Sequence, residues 1–364
     1  MILDPLPPLN SICIIRLSAL GDVCLALPAI RAIQLRWPQA KLTWIIGKAE
    51  YALVGDIPDI EFIVFDKKAG IRAYVSLSKM LRKRRFDVLL HMQTALRASL
   101  VSSLVRAAIR LGFDQARAKE LQWVFTNQHI EPHPRQHAAD MYMAFAHALD
   151  SHESTLRWDI PVPVAANEFV RKHLPGSDPV LAINVSSGPS RRVHRNWYPE
   201  RFAAVADYAQ KVLGFTVVLC GGTSQEERAF AAKLVENMET PPMNLVGKTD
   251  LKQLLALLQR ANVLITSDSG PAHMATAVHT PVIGLYAATN PYQTGPCQSL
   301  AWVVNRYPQA VLREYGKPVE VLPWGIRVHD RDAMHLIELD DVIAMLSKFV
   351  QHHPSRNFLS YGPL

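Results

Sequence analysis

A strand, a tight loop and a helix follow one another near the middle of the second half of the sequence. Residues 263–266 are apolar and β-branched, as in a buried strand; Ser267–Pro271 has turn composition, and residues 272–278 favour a helix. A helix that begins directly after such a loop presents free N–H groups and a partial positive charge. This arrangement predicts a binding site for a phosphate or another anion.

The side chains of this loop suit that chemistry, and they also suit an ordinary capped helix. Asp268 or Ser269 can cap the helix, and Pro271 fits its first turn because that position needs no N–H. Gly270 has no side chain, so a bound anion can approach the backbone closely at this residue. His273 adds a donor one turn into the helix, so the motif favours anion binding.

A second strand, loop and helix lies near the N-terminus. Residues 11–16 predict a strand, residues 17–22 a glycine-containing loop, and residues 23–37 a helix that ends before Pro38. Asp22 then falls in the first helical turn, where the helix dipole favours a carboxylate.

Composition indicates a cytoplasmic globular protein with two domains. The 364 residues are 49% hydrophobic and 20% charged, and no apolar run reaches the roughly 18 residues that a membrane-spanning helix needs. We expect neither a signal peptide nor a transit peptide at the proline-rich N-terminus. The four cysteines have no paired spacing, so we interpret them as reduced core thiols.

Strands alternate with helices along most of the sequence, and the pattern restarts after a proline-rich stretch at 157–179. This predicts an α/β fold with two Rossmann-like, doubly wound parallel-sheet domains, 1–160 and 161–364, facing a central cleft. Ligands in such sheets bind outside the carboxyl ends of the strands. Neither GxGxxG after a first strand nor GxxxxGK[ST] occurs, which argues against a nicotinamide enzyme and a P-loop ATPase.

The formal net charge is +7, and part of the excess lies in the basic run Lys79–Arg85. A basic face indicates an anionic partner: nucleic acid, a membrane surface or a phosphorylated substrate. The alternative is the solvated end of a helix. Aromatic residues are not interleaved with the basic ones, so we expect no nucleic-acid binding.

Several segments, in the right order, resemble one enzyme family. They are IIRLSALGDVCLALPAIRAI from residue 14, residues 88–99, the triplet QHA at 136–138, SSGPSRRVHRNWYPERF from residue 186, and SDSGPAHMATA from residue 267. Together they resemble the ADP-heptose:lipopolysaccharide heptosyltransferases of glycosyltransferase family 9. The resemblance implies the GT-B fold and an inverting glycosyltransferase.

The resemblance gives Asp22 the role of the general base. An inverting transfer needs a carboxylate beside the acceptor hydroxyl as that hydroxyl attacks the anomeric carbon. The competing interpretation, a carboxylate that only stabilises the start of the helix, is compatible with this role because the dipole keeps the side chain ionised.

The resemblance also implies a donor site in the second domain. Arg195 replaces the lysine of some members and still suits phosphate. Glu226 or Glu227 could accept bonds from the ribose hydroxyls, or serve only the first turn of its helix. No DxD-like cluster is evident, so we expect no metal ion and no cofactor, with helix N-termini and Arg195 stabilising the leaving group. The residues that match donor-binding positions are Ser186, Ser187, Arg195, Asp268, Ser269, Gly270 and His273.

The acceptor is expected on the first domain. We assign Ser18, Gln93, Arg97 and His137 to it. Thr94 stands where many members have glycine. Lys67, Lys68 and the run Lys79–Arg85 would then meet an acceptor that carries carboxylates and phosphates at the membrane surface.

We therefore expect transfer of a heptose from ADP-heptose to the inner core of lipopolysaccharide, either Kdo-lipid A or a heptosylated core. The enzyme would be a cytoplasmic monomer that binds the cytoplasmic face of the inner membrane peripherally. Two alternatives stay open: another GT-B nucleotide-sugar enzyme, such as a 2-epimerase, and a non-catalytic nucleotide-sugar-binding or lipid-binding paralogue. An epimerase needs an acid/base pair of carboxylates around the sugar, and Asp22 is the only carboxylate that the sequence clearly assigns to such a position.

Overall fold

The chain folds into two compact units, Met1–Pro161 and Val162–Leu364. The computed structural model describes residues 7–186, 188 and 195–353. Within these ranges each unit contains one six-stranded sheet in which all pairings are parallel. The α/β, doubly wound fold class predicted from the sequence is confirmed.

In the first unit the strands lie in the order β3-β2-β1-β4-β5-β6. The strands are β1 (Ser11–Ile15), β2 (Lys41–Gly47), β3 (Ile60–Phe65), β4 (Phe86–His91), β5 (Ala107–Gly112) and β6 (Gln128–His129). The helices are α1 (Leu20–Arg36), α2 (Lys48–Val54), α3 (Ile71–Leu81), α4 (Leu96–Ser103) and α5 (Ala138–His147).

The second unit repeats this topology in the order β12-β11-β10-β7-β8-β9. Its strands are β7 (Val180–Asn184), β8 (Thr216–Cys220), β9 (Met243–Asn244), β10 (Val263–Ser267), β11 (Val282–Tyr286) and β12 (Val304–Asn305). Its helices are α6 (Val164–His173), α7 (Pro199–Lys211), α8 (Gln225–Glu236), α9 (Leu251–Arg260), α10 (Gly270–Ala277), α11 (Pro291–Thr294), α12 (Tyr307–Tyr315) and α13 (Leu339–His352).

The central strands explain why the sequence patterns are so apolar. All five residues of β7 and of β10 are buried, as expected for parallel strands that carry helices on both faces. Each unit has its own hydrophobic core built from strand and helix residues.

Each sheet has one point where the strand order reverses, between β1 and β4 in the first unit and between β7 and β10 in the second. Chains that leave these neighbouring strands run to opposite sides, which opens a crevice at their carboxyl ends. The two loops singled out in the sequence follow β1 and β10. Both therefore lie at a position where doubly wound sheets bind ligands.

The sequence pattern did not reveal every short element. The edge strands β6 and β12 have two residues each, too few for a periodic pattern, and residues 287–331, whose pattern predicts few strands, contain β12 together with α11 and α12. The sequence pattern predicts a helix over residues 70–85, but α3 ends at Leu81, so most of the basic run follows this helix.

Candidate active site

Asp22 lies in the first turn of α1, directly beyond the carboxyl end of β1. Its Oδ2 is 2.6 Å from Arg16 Nη2 and accepts the Ala19 N–H at 3.3 Å. Its Oδ1 accepts the Tyr142 hydroxyl at 3.3 Å. The Asp22 side chain is nevertheless 41% exposed. The carboxylate is thus fixed in orientation and still open to an incoming hydroxyl.

Arg16, which sequence reasoning left without a role, is the main partner of that carboxylate. Its side chain is only 9% exposed, and Nη1 donates to the Met92 carbonyl at 2.8 Å. The guanidinium carbon lies 5.4 Å from the centre of the Tyr142 ring. Burial disfavours the charged form, but the charge and hydrogen bond of Asp22, together with Tyr142 and Glu50, outweigh burial and raise the pKa of Arg16. A buried arginine needs a partner. The position of Arg16 at the end of an apolar strand was therefore the sequence feature that could have indicated an ion pair.

Tyr142 reaches this carboxylate from α5, which is distant in sequence. Burial raises the pKa of its hydroxyl, and the neighbouring Asp22 carboxylate raises it further. The hydroxyl therefore stays protonated and donates to Asp22. No local motif marks it, because only packing of α5 beside α1 brings the two residues together.

A network of amides holds the loop that precedes Asp22. Gln93 Oε1 accepts the Leu17 N–H at 2.7 Å, and Gln93 Nε2 donates to Ser18 Oγ at 3.3 Å. The fully buried Gln122 donates to the carbonyls of His91 at 2.7 Å and Gln93 at 3.2 Å. Two predicted acceptor residues, Ser18 and Gln93, therefore lie together beside the Asp22 loop, and Gln122 is an additional brace that the sequence did not reveal.

The other two predicted acceptor residues lie on helices. Arg97 is exposed in the first turn of α4. His137 is buried at the N-cap of α5, where Nδ1 accepts the Ala139 N–H at 3.0 Å. His137 thus has a structural role at the start of α5, and its contact with an acceptor stays a prediction.

Gly47, the last residue of β2, lies close against the loop that precedes Asp22. Its N–H donates to the Leu17 carbonyl at 3.1 Å, and a β-carbon at this glycine would lie 2.2 Å from that oxygen. A side chain at Gly47 would displace the loop. The neighbouring Glu50 is also buried, and burial raises the pKa of its carboxyl.

In the second unit a buried polar network joins the ends of β7 and β10. Asn184 Nδ2 donates to Thr266 Oγ1 at 3.0 Å, to Ser269 Oγ at 3.3 Å and to the Ser186 carbonyl at 2.6 Å. The hydroxyls of Thr266 and Ser269 lie 2.8 Å apart. This network fixes the loop before α10. Asn184 and Thr266 were not anticipated, because both read as parts of apolar strands.

Ser269 does occupy the N-cap position of α10, but it makes no side-chain cap. The expectation that Ser269 or Asp268 caps this helix is therefore wrong. The Ser269 hydroxyl binds Asn184 and Thr266 instead. Pro271 lies in the first turn as predicted, Gly270 begins the helix although it was predicted in the loop, and His273 is buried.

Asp268 is paired with Arg195, whose Nη1 lies 2.9 Å from Asp268 Oδ2. Both side chains are largely buried, with exposures of 9% for Arg195 and 14% for Asp268. Two residues predicted to hold a diphosphate are thus brought together from positions 73 apart in sequence. Tyr286 at the end of β11 is buried nearby; burial raises the pKa of its hydroxyl well above the ordinary value, and the Asp268 charge adds to this shift.

The remaining donor residues differ in their surroundings. Ser186 is buried, and its Oγ accepts the Gly188 N–H at 3.1 Å. Ser187 lies outside the described residues. Glu226 is exposed in the first turn of α8. Glu227 serves that turn structurally, because its carboxylate accepts the Gly222 N–H at 3.0 Å and the Ser224 hydroxyl at 2.9 Å.

In residues 7–186, 188 and 195–353, no three His, Cys, Asp or Glu side chains are grouped to hold a metal ion. Within the same ranges, no helix combines the length and the apolar character needed to span a membrane.

Two doubly wound parallel-sheet units in series are the architecture of the GT-B fold, which glycosyltransferases share with other nucleotide-sugar enzymes. A sequence profile of glycosyltransferase family 9 (heptosyltransferase) matches residues 74–320. The chain is 38% identical over 339 residues to the lipopolysaccharide core heptosyltransferase OpsX of Haemophilus influenzae, covering 93% of this chain and 96% of the relative. This protein therefore belongs to glycosyltransferase family 9 and is a glycosyltransferase.

Solved structures share this fold. A glycosyltransferase family 9 protein from Veillonella parvula superposes with a TM-score of 0.77 and 26% identity, covering 95% of this chain and 99% of that one. The ADP-heptose lps heptosyltransferase II of Escherichia coli shares the fold with a TM-score of 0.69, at 18% identity, covering 94% of this chain and 99% of that one.

Proposed function

We propose that this enzyme transfers a heptose from ADP-heptose to the inner core of lipopolysaccharide, with Kdo-lipid A or a heptosylated core as the acceptor. The observation that carries this proposal is Asp22, a fixed and partly exposed carboxylate at the first switch point. The names of the relatives, a lipopolysaccharide core heptosyltransferase and an ADP-heptose heptosyltransferase, support the choice of substrates.

In the proposed reaction Asp22 acts as the general base. The acceptor hydroxyl attacks the anomeric carbon of the heptose while Asp22 takes up the hydroxyl proton. The bond from the anomeric carbon to the diphosphate oxygen breaks, and ADP leaves with the electron pair. A single displacement of this kind inverts the anomeric configuration. A positioned general base typically contributes 10²–10⁴-fold to such a step.

The second unit is proposed to hold the donor diphosphate. Arg195 and the start of α10 place positive charge at the carboxyl ends of β7 and β10, where charge develops on the leaving ADP. An incoming diphosphate would share the Arg195 guanidinium with Asp268. Ser186, Ser187, Ser269, Gly270 and His273 are assigned to the donor because they match family positions, and Glu226 because its place in the first turn of α8 lets it accept bonds from the ribose hydroxyls.

The first unit is proposed to bind the acceptor through Ser18, Gln93, Arg97 and His137. The exposed cations Lys67, Lys68, Lys79, Arg82, Lys83 and Arg85 support an acceptor that carries carboxylates and phosphates. We further propose that the enzyme is a monomer bound peripherally to the cytoplasmic face of the inner membrane. Light scattering on the purified protein measures its molar mass and so tests whether it is monomeric.

The test is a mass-spectrometric assay of the purified enzyme with ADP-heptose and truncated core acceptors. We expect one heptose to be added to one of these acceptors and ADP to be released. A thermal-shift panel of ADP, UDP, GDP and NAD serves as an independent readout, with stabilisation expected from ADP. Stabilisation by UDP alone would point to a nucleotide-sugar enzyme of another reaction, and stabilisation by none of the four to a non-catalytic paralogue.

A further inference from the structure

Five large apolar side chains are exposed together on the first unit. They come from α4 and from the 3₁₀ turn Gln122–Phe125 with the residue before it, and each is between 45% and 59% exposed. We call them the apolar patch: Leu96, Leu100, Leu121, Trp123 and Val124. Single exposed apolar side chains are ordinary, whereas a cluster of this size on a folded unit marks a binding surface.

The two segments that carry the patch are in contact, and the patch rests on a buried support. The 3₁₀ turn packs against α4, and the Leu96 N–H donates to Glu120 Oε2 at 2.6 Å, which ties the two segments together. Gln122, between the exposed Leu121 and Trp123, is fully buried and bonds to the end of β4. Leu96 and Leu100 are four residues apart and therefore share one face of α4. The exposed side chains thus project from a fixed base.

The surroundings of the patch are basic. Arg97, Arg106 and Lys119 are exposed on the same segments or directly beside them. The nearest acidic side chain in sequence, Glu120, already accepts the Leu96 N–H. Exposed aliphatic side chains and a tryptophan, with cations on the same segments, are the composition of surfaces that lie in the headgroup region of an anionic bilayer.

We propose that the apolar patch inserts into the interfacial region of a bilayer that carries anionic lipids. Charge complementarity favours a membrane over a protein partner, because the cations would face lipid phosphates while the apolar side chains leave water. The inference rests on the proposed function, since a lipid-borne acceptor must be collected from a membrane. The same segment of chain also leads from the patch to the Asp22 loop, because Gln93 lies three residues before Leu96 and bonds to Leu17.

The first experiment measures flotation of the full-length protein with vesicles of phosphatidylcholine, with and without phosphatidylglycerol. We expect binding to the anionic vesicles. The double variant Leu121→Ser with Trp123→Ser should reduce the partition coefficient by at least about 10-fold, because each buried methylene contributes to membrane binding. Leu312→Ser, at a similarly exposed position in the second unit, is the matched control and should bind like the wild type.

The second experiment separates docking from catalysis. With a water-soluble, lipid-free core acceptor the double variant should keep the wild-type kcat/KM, whereas with a lipid-bearing acceptor in vesicles its kcat/KM should fall. Equal flotation of variant and wild type, or no flotation of either, would overturn the inference. So would a dimer of the wild type that the double variant loses, because a second copy would then cover the patch. If vesicles bind but no acceptor receives heptose, the proposed function fails and the docking surface stands.

Discussion

Arg16 Nη2 lies 2.6 Å from Asp22 Oδ2, and the arginine of this pair is buried while the aspartate is partly exposed. This difference in exposure matters because the buried guanidinium, which also donates to the Met92 carbonyl, is held in one position. It therefore fixes one carboxylate oxygen and leaves the outer edge of the carboxylate open. For a proposed general base, orientation of this kind is as necessary as ionisation.

Asp22→Asn should preserve folding and ADP binding while it lowers kcat by roughly 10²–10⁴-fold, because an amide cannot take up the acceptor proton. Turnover with saturating ADP-heptose and acceptor, together with ADP titration, measures both effects. Near-normal turnover would reduce Asp22 to a residue that stabilises the start of α1.

Arg16→Gln should lower kcat much more than it changes the Kd for ADP, because it acts by positioning Asp22. The double variant with Asp22→Asn should be no slower than Asp22→Asn alone, since residues that act as a unit are not additive. Tyr142→Phe, which removes only the 3.3 Å bond to Asp22, is a milder second variant in case Arg16→Gln unfolds. Fully additive losses in kcat would show that Arg16 acts elsewhere.

Arg195→Ala and His273→Ala should weaken binding of ADP more than binding of adenosine, because both residues are assigned to the diphosphate. Charge-assisted hydrogen bonds contribute about 1.5–3 kcal/mol each, which predicts a loss of roughly 10- to 100-fold in ADP affinity per variant. Calorimetric titration with the two ligands gives the comparison. Equal losses for ADP and adenosine would move these residues away from the phosphates.

Lys83→Gln combined with Arg85→Gln should raise the acceptor KM at low salt, and the difference from wild type should shrink towards about 1 M salt, where the screening length is about 3 Å. Arg84 is left out of this set because it pairs with Glu61 at 2.6 Å. Arg84→Gln is therefore the matched control, with acceptor kinetics expected to be unchanged. If the double variant has wild-type kinetics at low salt, the run is simply a solvated segment after α3.

His91 should make the folded state sensitive to acid. Burial lowers the pKa of this fully buried histidine to about 3, and the charge of Arg110 contributes. Below about pH 6.5 this histidine binds a proton in the unfolded chain but not in the folded chain. The free energy of unfolding therefore falls as the pH decreases from about 6.5 towards 3. The slope from this one group is at most about 1.4 kcal/mol per pH unit.

Urea unfolding between about pH 7 and 4 measures this slope. His91→Gln should make the slope shallower, and His133→Gln, at an exposed position, is the control. Parallel stability curves for wild type and His91→Gln would contradict the prediction, because the histidine would then titrate alike in both states.

The sequence by itself determined the alternation of strands and helices and the two switch-point loops, although α1 and α10 begin at Leu20 and Gly270, a few residues before the predicted starts at 23 and 272. These features are local: each depends on periodicity or turn chemistry within about 20 residues, and short-range pattern is what a single sequence displays. The motif residues also sufficed to indicate the family, since they stand in a fixed order along the chain.

Only the tertiary structure decided which side chains meet. Asn184 reaches Thr266 across 82 residues, and Tyr142 reaches Asp22 across 120, because sheet order and helix packing set these distances rather than sequence spacing. Likewise, Arg84 is paired with Glu61 because β3 lies at the edge of the sheet beside the segment that follows α3. The sequence does not show which polar residues will be buried. Burial decides their roles, because a buried donor or charge without a partner destabilises the fold.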